Sequence, residues 1–599
     1  MVPLTRLAVA LIQASGLYLL VESATKPLAW PATEPTLFVP LLMVFSLIPP
    51  LILMGAGQIA RRPLVLWGLA ATVIIAGLGY HAAARMPPAQ PADSGTGADI
   101  LLWPYGDLWL RLAGGLFIAH TLVVDAVIAR RWRPPYPRHF DTAWKQGLQA
   151  ALTVVFVGVF WGVLHLGASL FDLLKVGFFH RLIRHDWFAI PATTLAIAGA
   201  VHITDVQPAL IRGARALALT LLSWLLPLLV VIVAGFLGSL PFLSLQPLWH
   251  THVAASLLLT AAALLILLIN CCYQDGAAER TTVAIKRWAG TVGAVALLPL
   301  VALAGWALGL RVDQYGWSVQ RVEAAAVTLV LAAYTAGYAV AVIRAPNPGG
   351  PHWLRRLEPT NHITAHLVLL LLLALLTPLA DPARLMVDSQ MARLRSGALP
   401  PEKLDLVALR FEGARWGRDA VTALGQATDA RWTADQTRTL HANVATVLSK
   451  PNRYQALDAL RRQPDTTDPL ENVTVYPAGR TLPPAFLQAY ATSLHPDQDR
   501  DCGRKGGGSC NAFLIALPPG GPEAVIIQDG YRASRLYQQD DSGAWHQTGT
   551  LERLPNCAAV RDALKQGLAT PVPHPLPDLM VAGVRLDIQA PDQGCPTSR

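Results

Sequence analysis

Eleven apolar runs, each near 20 residues long, follow one another from the N-terminus to about residue 380. A helix of about 20 apolar residues, rising 1.5 Å per residue, spans the ~30 Å hydrocarbon core of a bilayer. Helices in the core of a soluble protein do not require apolar runs of this length. The sequence therefore predicts eleven transmembrane helices: Leu4–Val21, Leu37–Ala56, Leu64–Tyr80, Leu108–Ala129, Gly147–Phe171, Trp187–Ile203, Ala216–Leu237, Val253–Cys272, Ala289–Leu308, Val322–Val342 and Ile363–Leu379.

The basic residues between these runs predict the orientation of the chain. With the N-terminus in the cytoplasm, sixteen Lys and Arg residues fall in or near the cytoplasmic loops and seven on the other side. Positive residues favour the cytoplasmic side of a membrane. Eleven crossings then place the C-terminal region outside the cytoplasm, which in a bacterium is the periplasm.

Cysteine usage is consistent with this topology. Cys271 and Cys272 end the eighth run, on the predicted cytoplasmic side, where thiols stay reduced. The other four, Cys502, Cys510, Cys557 and Cys595, lie in the C-terminal region, and an even number fits disulfides in an oxidising compartment. Of three possible pairings we favour Cys502–Cys510 with Cys557–Cys595. A zinc site is the competing interpretation, against which stands the lack of a C-x-x-C spacing.

The chain divides into three predicted regions: a membrane domain (1–380), a membrane-proximal helical region (381–470) and an extracytoplasmic α+β domain (471–599). Helices are expected around Pro382–Arg395, Asp419–Thr428, Ala434–Leu448, Ala456–Arg462 and Pro484–Leu494, and strands at Ala512–Leu517, Ala524–Gln528, Ser534–Tyr537 and Val581–Ile588. The amphipathic segment Phe171–Trp187 predicts a helix lying in the membrane interface. The fold class is thus a polytopic α-helical membrane protein with a C-terminal soluble α+β domain.

Ionisable residues within apolar runs are costly and therefore mark candidate sites. His120 and Asp125 lie in the fourth run, where Arg130 or Arg131 could simply neutralise the carboxylate. His165 lies mid-span near Trp161, and burial with a hydrogen bond to a neighbouring helix is the structural alternative.

Two further groups lie at the ends of runs. His202 and Asp205 are three residues apart, a spacing that allows a His–carboxylate contact to relay a proton or to anchor the helix end. His250 and His252 form an H-x-H pair for which we find no third metal ligand nearby, so we predict no metal site.

The loop between the ninth and tenth runs combines aromatic and basic residues. Tyr315 and Trp317 flank a glycine, between Arg311 and Arg321. An interfacial aromatic anchor would explain this composition. Recognition of an anionic headgroup or glycan would also explain it, because arginine offers paired, planar donors.

Several function classes are excluded or disfavoured by what the sequence lacks. The net charge of +9 is spread over short loops, without a basic face interleaved with aromatics, so we expect no nucleic-acid partner. Walker A, G-x-S-x-G and H-E-x-x-H motifs are absent, and we assign no catalytic residue and no cofactor.

Several segments resemble a bacterial inner-membrane family. These are LTRLAVALIQ near the N-terminus, WFAIPATTLAIAGAVHITDVQP, LRVDQYGWSVQRV, LTPLADPARLMVDSQMARLRSG and the continuation LRFEGARWGR. The family is catalogued as domain of unknown function 4153. The resemblance implies a multi-pass envelope protein of Gram-negative bacteria and implies no activity.

Two functional hypotheses remain from these observations. In the first, which we favour slightly because intramembrane charges are few, the helices are a scaffold or sensor that displays the periplasmic domain to another envelope protein. In the second, the helices enclose a polar cavity that binds or transports an envelope lipid, glycan or small solute. A membrane-embedded transferase is a more distant third. Membrane lipids are expected partners in each case.

Overall fold

A computed structural model describes residues 2–25, 28–86, 105–242, 254–276, 283–344, 353–461, 473–493, 510–516, 523–529, 534–540, 542–551, 558–566, 568, 579–581 and 584–586. The chain forms two compact units, Met1–Ala456 and Leu457–Arg599. The first is helical throughout, and the second is built on a small sheet.

Eleven helices in the described part of the chain are long and apolar enough to cross a membrane, as the sequence predicts. The protein is therefore a multi-pass membrane protein. These helices are α1 (Val2–Ala24), α2 (Pro35–Gly55), α3 (Arg61–Arg85), α4 (Gly106–Ala129), α5 (Tyr136–Leu173), α7 (Asp186–Val206), α8 (Pro208–Ser239), α9 (Ala254–Tyr273), α10 (Ala284–Tyr315), α11 (Val319–Arg344) and α12 (Leu357–Leu375), with a short α6 (Phe178–Arg184) between α5 and α7.

The helix boundaries differ from the apolar runs for identifiable reasons. Helices α5, α8 and α10 continue through polar flanks beyond their runs, because a helix does not have to end where hydrocarbon ends. Helix α12 ends at Leu375, four residues before its predicted end. The cause is Pro378, which disfavours helical geometry at the residue before it.

Apolar side chains form two main cores within this unit. One core joins α1, α2, α3 and α4 through residues such as Phe38, Met43 and Ile75. The other joins α8, α9, α10 and α11 through residues such as Leu226, Leu265 and Leu297. Helix α12 contacts α11 on one side and α4 on the other, so it links the two cores.

Four helices and a short 3₁₀ turn follow α12 within the first unit. They are α13 (Pro382–Ser396), the turn Pro401–Lys403, α14 (Leu406–Glu412), α15 (Ala414–Leu424) and α16 (Ala434–Ser449). The sequence predicts α13 and α16 closely, whereas α15 begins five residues earlier than predicted and α14 is not predicted. Helix α13 contacts both α11 and α15, which places this group against one end of the membrane helices.

The second unit has a five-stranded sheet in sequential order. After α17 (Arg453–Arg461), which crosses from the first unit, come β1 (Val473–Tyr476), α18 (Pro484–Ser493), β2 (Cys510–Ala516), β3 (Glu523–Asp529), β4 (Ser534–Gln539), β5 (Trp545–Leu551), α19 (Ala558–Lys565) and the hairpin β6 (Leu579–Val581) and β7 (Val584–Leu586). Strands β1 and β2 are parallel, and β2 to β5 are antiparallel.

Both faces of this sheet carry apolar side chains. On one face Phe486 of α18 packs edge-on against Tyr537 and Trp545, with ring centroids 5.5 and 5.0 Å away. On the other face Phe513, Ile515 and Ile526 form a second cluster. Strands β2, β3 and β4 are present as predicted, whereas the single strand predicted at Val581–Ile588 is wrong, because the chain turns back between Val581 and Val584 to form the hairpin β6–β7. Strands β1 and β5 are not predicted, since β5 buries its first residue and is otherwise polar.

Candidate functional site

His120 and Asp125 lie buried inside the helical bundle. The Nδ1 atom of His120 accepts a hydrogen bond from the Trp67 indole nitrogen at 3.1 Å, which fixes the histidine against α3. Within the described chain its Nε2 atom has no hydrogen-bond partner. This environment is that of a buried histidine packed between helices.

Asp125 has different partners from those expected from the sequence. Its carboxylate accepts hydrogen bonds from the Thr142 hydroxyl at 2.7 Å and from Nδ1 of His139 at 2.9 Å, both on α5. The suggested pairing with Arg130 or Arg131 is therefore wrong. The chain turns between α4 and α5 at a left-handed Arg130, and this turn brings the start of α5 beside the fully buried carboxylate.

His202 and Asp205 both contact Arg6 of α1, a side chain that is only 2% exposed. One guanidinium nitrogen lies 3.1 Å from Nδ1 of His202, and the other donates to Asp205 at 2.9 Å and to the carbonyl of Ala56 at 2.9 Å. Lys145 donates to the same carboxylate at 3.2 Å. Arginine thus joins the pair whose direct contact the sequence suggests, because its planar fork reaches two acceptors at once.

His165 is exposed on α5 and is not buried as its structural alternative required. Its ring lies 5.9 Å from that of Trp161. It is Trp161 that reaches the next helix, donating to the Thr193 hydroxyl at 3.1 Å. Nothing in this geometry assembles a site around His165.

The loop after α10 holds the helix that follows the last membrane span. Ser389 accepts from the backbone nitrogen of Trp317 at 3.1 Å, and Gln390 donates to the carbonyls of Tyr315 and Trp317 at 2.9 and 3.1 Å. Arg393 donates to the carbonyls of Asp313 and Gln314, each at 2.8 Å. The segment from Asp313 to Trp317 therefore anchors α13 through its backbone.

The two arginines of this loop support its shape. Arg321 donates to the carbonyl of Gly316 at 2.7 Å. The guanidinium groups of Arg311 and Arg321 lie 5.8 and 5.5 Å from the centre of the Tyr315 ring, one cation–π contact each. Recognition of a headgroup or glycan by these residues stays a prediction.

The remaining predicted positions fall mostly outside the described residues. These are His250, His252, Cys502, Cys557 and Cys595. Cys510 is buried at the start of β2, and its disulfide pairing remains a prediction. Cys271 and Cys272 are free and buried. Among the residues that the structure covers, no group of three His, Cys, Asp or Glu side chains could hold a metal ion.

One cavity in the first unit is not predicted from the sequence. This arginine pocket has a volume of about 630 Å³ and lies between the ends of α3, α4, α11 and α12 and the helices α13 to α15. Its charged lining residues are Glu34, Arg85, Asp107, Arg111, Glu323, Arg410, Glu412 and Arg418. The volume lies within the ~300–1,000 Å³ range of small-molecule sites.

Most charges in the arginine pocket are neutralised by neighbours. Arg111 pairs with Glu323 at 2.8 Å and with Asp107 at 2.6 Å. Arg85 pairs with Asp381, and Glu412 pairs with Arg453. Glu34 is exposed on α2's approach to the pocket.

Arg410 and Arg418 are the two basic lining residues that are not neutralised in this way. Within the described residues neither makes a salt bridge, and the Nε atom of each is buried without a hydrogen-bond partner. Arg410 is only 9% exposed. Desolvation and the neighbouring charge of Arg418 lower the pKa of Arg410 below its ordinary value. Two neighbouring like charges, Arg410 buried and Arg418 half-buried, are costly without a salt-bridge partner among the described residues, so this part of the pocket wall is suited to an anion.

Two glycines bring these arginines together. Helix α15 begins directly after α14, and a Cβ atom at Gly417 would overlap the carbonyl oxygen of Leu409. A Cβ atom at Gly413 would overlap the same oxygen. Only glycine permits this approach of two helices. The segment LRFEGARWGR thus encodes the arginine pair, and its glycine spacing is the signal that sequence reasoning missed.

An apolar groove adjoins the arginine pocket. It has a volume of about 340 Å³ and runs between α3, α4 and α12, lined by residues such as Trp67, Ile74, Gly115, Ala119 and Leu373. Arg111 and Leu376 line both the groove and the arginine pocket. The two cavities therefore meet at the charged end of α4.

A comparison with protein-family models matches residues 4–426 to the family described as Domain of unknown function (DUF4153). The chain belongs to this family. The DUF4153 match includes all eleven membrane helices and continues through α15, so it contains every described residue of the arginine pocket except Pro451. Neither the curated proteins nor the solved structures contain a significant match to the chain.

Proposed function

We propose that this protein binds a phosphate-bearing ligand in the arginine pocket, at the end of the membrane helices that faces away from the cytoplasm. The observation that carries the proposal is the pair Arg410 and Arg418, the first buried and the second half-buried in the wall of a cavity of about 630 Å³, without salt-bridge partners among the described residues. A phosphomonoester carries about −1.5 to −2 charges near pH 7, which matches two uncompensated guanidinium groups.

Phosphate fits this site better than a carboxylate does. Arginine presents planar paired donors that match phosphate oxygens, and a dianion neutralises both side chains together. The mutual repulsion of Arg410 and Arg418 is relieved when the anion lies between them. Binding thus supplies the counter-charge that the protein lacks.

The orientation belongs to the same proposal. Sixteen basic residues against seven favour the end containing Arg6 as the cytoplasmic one, so the arginine pocket opens on the outer side of a bacterial inner membrane and the unit Leu457–Arg599 is periplasmic. Cysteines introduced at Ser94 and Pro135, after replacement of Cys271 and Cys272, test this with an impermeant maleimide. Labelling of position 135 from outside intact cells would overturn the orientation.

The binding test uses sn-glycerol 3-phosphate as a soluble probe and the full chain in a neutral detergent. A ligand that binds only the folded state raises its stability by RT ln(1 + [L]/Kd), so the unfolding temperature should rise with the probe and not with glycerol at equal ionic strength. The double variant Arg410→Gln, Arg418→Gln should lose the shift. The matched control is Arg415→Gln, an exposed residue on the same helix as Arg418, and this variant should keep the shift in unfolding temperature.

Either of two results would overturn the proposal. One is a wild-type protein that sodium chloride stabilises as much as glycerol 3-phosphate does. The other is a double variant that retains the full shift.

A second candidate function is the display of the C-terminal unit to an envelope protein. Its support is the separate compact unit Leu457–Arg599, which has its own sheet and apolar clusters. Cross-linking in intact cells with and without residues 457–599 tests it, since a partner of this unit would be lost only from the shorter chain.

A further inference from the structure

We propose, building on the proposed function, that the ligand is an anionic lipid whose phosphate occupies the arginine pocket and whose acyl chain lies in the apolar groove. The two cavities share Arg111 and Leu376, so a single molecule can fill both. Polar and apolar parts then meet at the place where the lining changes from charged to apolar.

The groove has the dimensions of a lipid chain. Its lining on α4 runs from Arg111 to Ala126, which is about 22 Å at 1.5 Å per residue. One hydrocarbon leaflet is only ~15 Å thick, half of the ~30 Å core. A fully extended acyl chain therefore finds apolar wall along its whole length.

The groove is open to the membrane from the side. Ile74 of α3 and Leu373 of α12 line it and are 45% and 40% exposed, and in a membrane-spanning bundle such side chains face lipid. A chain can thus enter laterally without its passing through water. Binding from the bilayer explains why an apolar groove and an arginine pocket occur together.

Arg111 is placed to hold the junction. It is half-buried, donates to Glu323 on α11 and pairs with Asp107 one turn earlier on its own helix. The two carboxylates compensate this arginine, so it does not compete with Arg410 and Arg418 for the phosphate. It lies beside the point at which the ester linkage of a bound lipid would pass from one cavity to the other.

Adjacent glycines of α4 provide a matched pair of variants. A Cβ atom at Gly115 would point into the groove, 3.3 Å from Cδ1 of Leu372, whereas a Cβ atom at Gly114 meets nothing within 4 Å. Gly115→Leu should therefore fill the groove, and Gly114→Leu should leave it open. Ala119→Phe, farther along the groove, fills it independently if Gly115→Leu does not fold.

The experiment reconstitutes the full chain in phosphatidylcholine vesicles with a trace of phosphatidic acid bearing a diazirine in its acyl chain. After irradiation, labelled peptides are identified by mass spectrometry. We expect labelling of α3, α4 and α12, at least tenfold weaker in Gly115→Leu and in Arg410→Gln, Arg418→Gln, and unchanged in Gly114→Leu. Phosphatidylcholine carrying the same diazirine should label the groove at least tenfold less than phosphatidic acid does.

The outcomes separate this inference from the proposed function. Stabilisation by glycerol 3-phosphate that persists in Gly115→Leu, together with lost lipid labelling, supports both. Stabilisation by glycerol 3-phosphate together with equal labelling of Gly115→Leu and Gly114→Leu would overturn the inference that a lipid occupies the groove. The proposed function would then stand with a soluble phosphate ligand. Equal labelling of the groove by phosphatidic acid and phosphatidylcholine would also overturn the inference that the ligand is an anionic lipid. Absence of both the stabilisation and the labelling overturns both proposals.

Discussion

Arg85 donates from a single terminal nitrogen to both carboxylate oxygens of Asp381, at 3.0 and 3.1 Å, across 296 positions of sequence. Asp381 is 1% exposed and also contacts Nε2 of His81 at 3.2 Å. The same carboxylate caps α13 by accepting from the backbone nitrogen of Ala383 at 2.9 Å. One buried aspartate therefore joins α3 to the helix that follows the last span.

Replacing Asp381 by Asn should destabilise the membrane unit by about 3–5 kcal/mol, the cost of removing one partner of a buried ion pair. Asparagine caps helices as well as aspartate does, so this variant isolates the lost charge. The free energy of unfolding, measured by titrating sodium dodecyl sulfate into mild detergent, checks it. Asp388→Asn, whose pairing with Arg384 is exposed, should change stability by less than about 1 kcal/mol, and an equal loss in both variants would contradict the prediction.

Replacing Gly316 by Ala should weaken the attachment of α13 to the loop after α10 and destabilise the membrane unit. Gly316 has a φ of +75°, and a Cβ atom there would lie 2.8 Å from Cδ of Arg393 and 2.9 Å from Nε2 of Gln390. We expect a loss of at least ~1 kcal/mol from backbone strain alone. The control is Gly309→Ala on the preceding helix, where a Cβ atom meets nothing within 4 Å and alanine should be neutral or stabilising. The unfolding temperatures of Gly316→Ala and Gly309→Ala, measured side by side, check this prediction, and equal values would contradict it.

A chain that ends at residue 456 should still be stabilised by glycerol 3-phosphate. Every described residue lining the arginine pocket precedes Ala456, the last residue of the first compact unit. The shift in unfolding temperature should equal that of the full chain within error. A truncated protein that folds but loses the shift would show that residues 457–599 take part in binding.

The hairpin between β4 and β5 should depend on the ionisation of Asp540. Hydrogen bonds from the Ser542 hydroxyl, the Ala544 backbone nitrogen and His546 lower the pKa of Asp540 from 3.8 to about 2. A depressed pKa means that the carboxylate stabilises the turn above the ordinary pKa, and that this contribution is lost as the pH falls through about 2. An NMR titration of ¹³Cγ-labelled aspartate, assigned with Asp540→Asn, should give a midpoint near 2, and a midpoint near 4 would contradict it.

Features that depend on local sequence are predicted well for this chain. All eleven membrane helices follow from runs of apolar residues, and α13 and α16 lie within one residue of their predicted bounds. Features that depend on which side chains meet are not. Asp125 is paired with His139 rather than with an arginine, although the arginines are closer in sequence.

The arginine pocket shows the same limit more sharply. Arg410 and Arg418 have the sequence appearance of solvated residues on short helices, and they become part of one cavity wall only because α14 and α15 lie across the pocket from the ends of α3 and α4. Arg311 and Arg321, by contrast, have the appearance of ligand-binding residues but contact their own loop. Charge and helix pattern do not distinguish the two pairs, and only the glycines at 413 and 417 mark the close approach of α14 and α15.

The arginine pocket is also completed late in synthesis. Its walls come from α3 and α4 near the start of the chain and from Arg410 and Arg418, which leave the ribosome only after the last membrane helix has been made. Domains assemble in the order in which they are translated. Under the proposed function, a partly made chain that contains α3, α4 and α12 but has not reached Arg418 therefore has the apolar groove without the two charges that would select the ligand.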